Sequence, residues 1–238
     1  MMRKALLGAL LVTAMHAQAE YKCSVTPRDD VVLNPQTVQV VGENGNLVIG
    51  PDGSVQYNGQ TKNLTAAQRQ QALDYQKALR TELPWIQQGA LSRVEKGRVA
   101  LDRVITQEVG ASSNMRNRLT SLDAQLKTQM NRIIEQRSDG LTFHYKAIDQ
   151  VRADGQQLVN QAMGGILQDS INEMGAKAVL KGGGNPLQGV LGRLGGLQTA
   201  IQNEWKKQEQ DFQQFGRDVC QRVITLEGQR NKLVSGLK

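Results

Sequence analysis

The sequence predicts an α+β protein, a small N-terminal β-meander packed on an elongated antiparallel helical bundle. Three observations predict it. Up to residue 64 the apolar residues alternate with polar ones and the runs are separated by turn dipeptides. From residue 65 the apolar spacing lengthens to about 3.5, the rhythm of helices that share a seam. Aromatic residues make up only 4% of a chain that is 39% hydrophobic and holds 29 glutamines, a composition suited to polar-faced helices. The expected organisation is a signal peptide over 1–19, the meander over 20–64, and the bundle over 65–238 with a Gly-rich break at 182–186.

The first nineteen residues read as an export signal. Arg3 and Lys4 precede the uncharged apolar run Ala5 to Ala14, and Ala17-Gln18-Ala19 is a small-x-small cleavage site. Cleavage after Ala19 would start the mature chain at Glu20. The apolar run is shorter than the roughly 20 residues needed to span a bilayer, so it is not expected to persist as an anchor. Glu20-Tyr21-Lys22 before Cys23 does not suit lipid attachment. No later stretch has 18 uninterrupted apolar residues, and a soluble periplasmic protein is the expectation.

In the meander, Val38 and Val40 alternate with Thr37 and Gln39, followed by Leu47 and Ile49, then Val55 and Tyr57. Asn44-Gly45, Pro51-Asp52-Gly53 and Asn58-Gly59 supply the turns, because Asn and Gly tolerate positive φ. So small a sheet must pack on something else to be stable.

Thr65-Ala66-Ala67-Gln68 is a capping-box pattern that opens a helix over about 66–83, where Pro84 ends, kinks or restarts it. Ile86, Leu91, Val94, Leu101, Ile105 and Val109 line the next face. Gly110 to Ser113 breaks the helix. Met115, Leu119, Leu122, Leu126, Met130 and Ile133 line its antiparallel partner. Ser138-Asp139-Gly140 is a further break before a third helical stretch from Ile148 to Met174. After the break at 182–186, Ile201, Trp205, Gln208, Phe212, Phe215, Val219, Val223, Leu226, Arg230 and Leu233 form one long stripe. Only Gln208 and Arg230 in it are polar.

Chemistry-bearing patterns are sparse. His144 is the only histidine beyond the signal, with Asp139 and Asp149 near it in sequence and no Gly-x-Ser-x-Gly elbow anywhere, so a His144 hydrolase is the minor alternative. One imidazole and no Cys-x-x-Cys give no metal centre. Gly184 to Gly189 has P-loop spacing, but Val190 and Leu191 stand where Lys and Ser/Thr belong. No cofactor is expected. Residues 80–137 carry ten basic and six acidic side chains. Arg93, Lys96, Arg98, Arg103, Arg116, Arg118, Lys127, Arg132 and Arg137 therefore form a candidate surface for anionic membrane or envelope polyanions, with nucleic acid excluded by the compartment. The leading expectation is a non-enzymatic interaction protein with protein partners in the cell envelope. Cys23 and Cys220 are the only cysteines, and in an oxidising compartment they are expected to form one disulfide that ties the meander to the last helix.

Several long runs also carry a resemblance. They are Cys23-Ser24-Val25-Thr26-Pro27-Arg28-Asp29-Asp30, Leu83-Pro84-Trp85, Arg137 to Tyr145, and Gly164-Gly165-Ile166-Leu167-Gln168-Asp169. With them the chain resembles, over essentially its whole length, the YggN family of exported proteins from Gram-negative bacteria. The resemblance implies a periplasmic address and assigns no activity, cofactor or site residue.

Overall fold

A computed structural model describes residues 23–180 and 186–237. The expected signal segment with its cleavage point, and the glycines of the break at 182–186, lie outside the described residues. The strands are β1 (Asp29–Leu33), β2 (Val38–Gly42), β3 (Leu47–Ile49), β4 (Val55–Tyr57), β5 (Gln60–Thr61), β6 (Ile134–Arg137) and β7 (Gly140–Phe143). The helices are α1 (Ala66–Glu108), α2 (Asn114–Ile133), α3 (Ala147–Leu180) and α4 (Pro186–Ser235). The fold is α+β, with one antiparallel sheet at one end of four long helices.

The sheet runs in the order β5-β4-β3-β2-β1-β7-β6. The first five strands form the expected meander, and Asn58-Gly59 closes the β4–β5 hairpin with both residues at positive φ. The last two strands depart from the expected helical reading of this region. Residues 134–143 fold as a hairpin that adds β7 to β1, pairing Val31 with Phe143, Val32 with Thr142 and Leu33 with Leu141. The reason is legible afterwards: Leu141 and Phe143 alternate with Thr142, and Gly140 holds φ +151°, where an added Cβ would lie 1.8 Å from the Leu33 carbonyl oxygen. Ser138-Asp139-Gly140 is thus a strand turn, and the sheet is not confined to residues 20–64. Arg137, expected on the second helix, ends β6.

The outer edge of β6 is occupied by the protein's own side chains. The Gln87 side-chain amide donates to the Ile134 carbonyl at 2.9 Å, and the Gln136 N–H donates to Asn131 Oδ1 at 3.3 Å. Side chains thereby take hydrogen-bonding positions that an added strand would need.

α1 starts with the complete capping box of Thr65 and Gln68. Pro84 neither ends nor restarts it, because the helix is continuous for 43 residues, roughly 64 Å. The missing Pro84 N–H costs a hydrogen bond. Leu79 and Leu83 just before it lie in the core and fasten this stretch to the sheet end. The break at Gly110 to Ser113 is observed, and Ser113 caps α2. Each helix has two principal neighbours: α1 packs on α2 and α4, and α3 packs on α2 and α4.

Two hydrophobic cores result. The proximal core joins the inward sheet residues Val31, Val40, Leu47, Ile49 and Val55 to Ala72, Tyr75 and Leu79 of α1 and to Leu226, Leu233 and Val234 of α4. The distal core joins Leu101 and Ile105 of α1, Met115 and Leu119 of α2, Ile166 of α3, and Leu197 and Ile201 of α4. Between them the α4 stripe is less covered than its pattern implies. Phe215 is buried, but Phe212 stays 41% exposed.

Candidate functional site

The cysteine pair lies where β1 approaches the C-terminal half of α4. Cys23 and Cys220 are joined as a disulfide with their Cα atoms 5.5 Å apart. Cys220 is 4% exposed. Six residues after Cys23, Asp29 turns inward at the start of β1 and meets Arg230 of α4, with Nη2 to Oδ2 at 3.2 Å. Both side chains are almost wholly buried. Asp29 also accepts from the backbone N–H of Asn44 at 3.3 Å and from its side-chain amide at 3.2 Å. Arg230 Nε and Nη2 have no aligned hydrogen-bond acceptor among the described residues, so the pair is held by charge more than by directed bonds. Burial raises the Tyr75 hydroxyl pKa above its usual range, and it raises the Glu227 carboxyl pKa, with the Asp29 charge adding to the Glu227 rise. Sequence reading did not pair Asp29 with Arg230. The available signal was Arg230 itself, a charge inside an otherwise apolar stretch of the stripe.

Seven of the nine basic residues proposed for a polyanion surface face carboxylates. Arg93 reaches Asp211 at 3.2 Å, Arg98 reaches Glu95 at 2.6 Å, and Arg116 reaches Asp102 at 2.7 Å. Arg118 pairs with Asp169. Lys127 sits between Glu95 at 2.8 Å and Asp123 at 2.7 Å, and Arg132 meets Asp154 at 2.6 Å. Arg137 meets Asp139 at 3.2 Å. Arg98 and Lys127 hold the Glu95 carboxyl down to about 2. Three of the acids, Asp154, Asp169 and Asp211, come from α3 and α4. Most of the local cationic excess of the sequence is thus matched by carboxylates of other elements. Lys96 and Arg103 stand exposed on α1.

Arginines also seat the α1–α4 seam. Arg222 pairs with Glu82 and lies 3.7 Å from the Trp85 ring centroid. Trp85 and Phe215 are 5.3 Å apart, and Arg93 lies 4.1 Å from the Phe215 ring.

His144 follows β7, and its acids are not the ones nearest in sequence. Nδ1 lies 3.6 Å from Asp30 Oδ2 and Nε2 lies 3.4 Å from Glu135 Oε2. The Tyr145 backbone N–H donates to Asp30 at 3.0 Å. The ring is partly exposed, and His144 lines neither of two shallow depressions among the described residues. One of these, between α1 and α2, is lined by Gln87, Leu91 and Met130. The other lies at Arg98, Asp102 and Arg116, whose donors and acceptors are already paired with one another or with Glu95 and the Ala111 carbonyl. Among the described residues no cluster of three or more His, Cys, Asp or Glu side chains could hold a metal ion. No described helix is long and apolar enough to cross a membrane.

Residues 23–238 match the family described as "Protein of unknown function (DUF2884)". The chain belongs to this family. The match begins at Cys23 and so takes in both ends of the disulfide and the Asp29–Arg230 pair. At full length the chain is 76% identical over 239 residues to "Uncharacterized protein YggN" of Escherichia coli strain K12, covering 100% of both chains. The same identity and coverage hold for the proteins of that name from Escherichia coli O6:H1 and O157:H7. No solved structure matches the chain.

Proposed function

We propose that the protein is a non-enzymatic interaction protein of the periplasm, exported by a signal peptide cleaved after Ala19, that engages protein partners in the cell envelope as a rigid, elongated frame. The observation that carries this reading is the use of its polar chemistry. The disulfide, the Asp29–Arg230 pair and the arginine–carboxylate pairs join one element of the fold to another. The disulfide also supports an oxidising compartment.

His144 has carboxylates beside both ring nitrogens, from β1 and β6, which supports a role in fastening β7 and β6 to β1. Charge matching across the seams leaves the polyanion reading resting on Lys96 and Arg103. Among the described residues Val41, Val99, Ile171 and Phe212 keep exposed large apolar side chains, and Val99 and Phe212 serve as the positions at which to probe for a partner.

The test is fractionation of cells producing the full-length chain, with the intact mass of the recovered protein. A periplasmic product beginning at Glu20 is expected. A cytoplasmic product that retains Met1 would refute the export reading. A photo-crosslinking residue at position 212 or 99 should then give discrete protein adducts in the periplasm. Adducts only to phospholipid would favour the membrane reading.

A further inference from the structure

We propose that residues 23–29 form a redox-released strap on α4, closed by the Cys23–Cys220 disulfide and hinged at Asp29. The proposal stands on geometry and does not require the export reading.

Residues 23–28 precede β1 and belong to no strand. Cys23, Val25 and Pro27 are half-buried while Ser24, Thr26 and Arg28 are exposed, the alternation of an extended segment lying with one edge on a surface. At its far end the Arg28 carbonyl accepts from the Glu43 N–H at 3.3 Å, next to the buried Asp29–Arg230 pair. The strap is therefore anchored at two points of α4, Cys220 and Arg230. Ten helical residues separate those anchors, about 15 Å. Six extended residues reach at most about 20 Å, so the strap spans the interval with little slack. Cys220, Val223, Glu227 and Arg230 recur at helical spacing and share the face beneath it. The raised Glu227 pKa, caused first by burial, fits a covered face.

Release is ordinary thiol–disulfide exchange with a dithiol reductant. Cys23 is the more exposed residue of the two, since Cys220 is buried. The reductant's thiolate attacks Cys23 Sγ, the S–S bond breaks, and Cys220 leaves as a thiolate that takes up a proton. The reductant's second thiol then attacks the mixed disulfide. Cys23 is freed as a thiol and the reductant departs as its own disulfide, having supplied two electrons. With the covalent anchor gone, the residues before Arg28 have no ladder to keep them down. They lift about Asp29 and uncover the face at Glu227. Closure is the reverse reaction with a disulfide-bearing oxidant.

The test is limited elastase digestion of the purified full chain, either untreated or reduced with dithiothreitol, alkylated and desalted, read by mass spectrometry at Val25, in the middle of the strap, and at Val104, in the distal half of α1. Reduction is expected to speed cleavage after Val25 at least tenfold and to leave Val104 and the helical circular dichroism unchanged. Cys23→Ser should do the same without reductant. Unchanged cleavage at Val25 overturns the proposal. Equal acceleration at Val25 and Val104 with loss of helix also overturns it, because reduction then unfolds the chain as a whole.

Discussion

The two cores of this molecule are closed by different means. The proximal core is built on the inward face of the sheet, and its ties join residues far apart in sequence: Cys23 to Cys220, Asp29 to Arg230, β1 to β7. The distal core is four helical faces meeting near the α1–α2 turn, supported from outside by pairs such as Arg118–Asp169 and Arg116–Asp102. One end depends on buried charge and a covalent bond, the other on apolar packing with solvated ion pairs around it. The helices that connect them are long enough for each end to fail separately.

The largest expected effect falls on the proximal end. Replacing both cysteines by serine removes a cross-link over 197 residues, and chain entropy alone puts the loss at up to about 5 kcal/mol. Denaturant unfolding of the oxidised protein against the double variant measures it. A loss below about 1 kcal/mol would mean that the sheet end needs no covalent tie. Next comes Asp29→Ala, which strands a buried guanidinium and should cost about 3–5 kcal/mol. Combining Asp29→Leu with Arg230→Met should restore most of that loss, since a packed apolar pair can equal a buried ion pair. If the double variant is as unstable as the single one, the buried charge is not what Asp29→Ala exposes.

Ile105→Ala probes the other end. The residue is fully buried in the distal core, and the substitution should cost about 2–5 kcal/mol. Hydrogen exchange should quicken over 101–119 before it quickens in β1–β4. Simultaneous loss in both regions would show that the two cores unfold as one.

A smaller effect, of opposite sign, belongs to Glu227. Its folded pKa is raised, so the favourable contribution is complete below the ordinary carboxyl value, near 4.3, and is lost as pH rises through the folded value. Glu227→Gln should therefore raise the melting temperature at pH 7 and leave it nearly unchanged at pH 4. A drop at pH 7 would show that attraction to Arg230 outweighs burial. The smallest effect concerns Glu95, whose pKa is depressed to about 2 by Arg98 and Lys127. Its contribution is present above pH 4.3 and fades only as pH falls toward 2. Carbon NMR should find this carboxyl still ionised at pH 3. Titration near 4.3 would dissolve the Arg98–Glu95–Lys127 network.

What was legible in the sequence follows the same division. Local signals were reliable where one element decides its own shape: the Thr65 capping box, the Asn58-Gly59 hairpin and the turn at Gly110 to Ser113 all stand where expected. The hairpin at 134–143 was hidden because its alternation is only four residues long and adjoins a helical stripe ending at Ile133. Its strand character is set by a partner, β1, about 110 residues away. The partners of the basic residues were hidden for the same reason. Composition counted the cations of 80–137 correctly but could not see that Asp154, Asp169 and Asp211 would be laid beside them. Arg230 was visible as an anomaly, and its explanation required knowing that Asp29 faces inward.

The joining of β1 to β7 and of Cys23 to Cys220 also bears on when the protein can fold. The proximal core needs Val31 near one end of the chain and Leu233 near the other, so no partial chain emerging during synthesis contains it. Neighbouring helices and the β1–β5 meander can pair early, because their contacts are close in sequence, whereas the β1–β7 pairing must wait for a loop of more than a hundred residues to close. Such a chain stays incomplete, and so threadable, until its last helix has been made. That ordering makes closure of the sheet end the last event of folding.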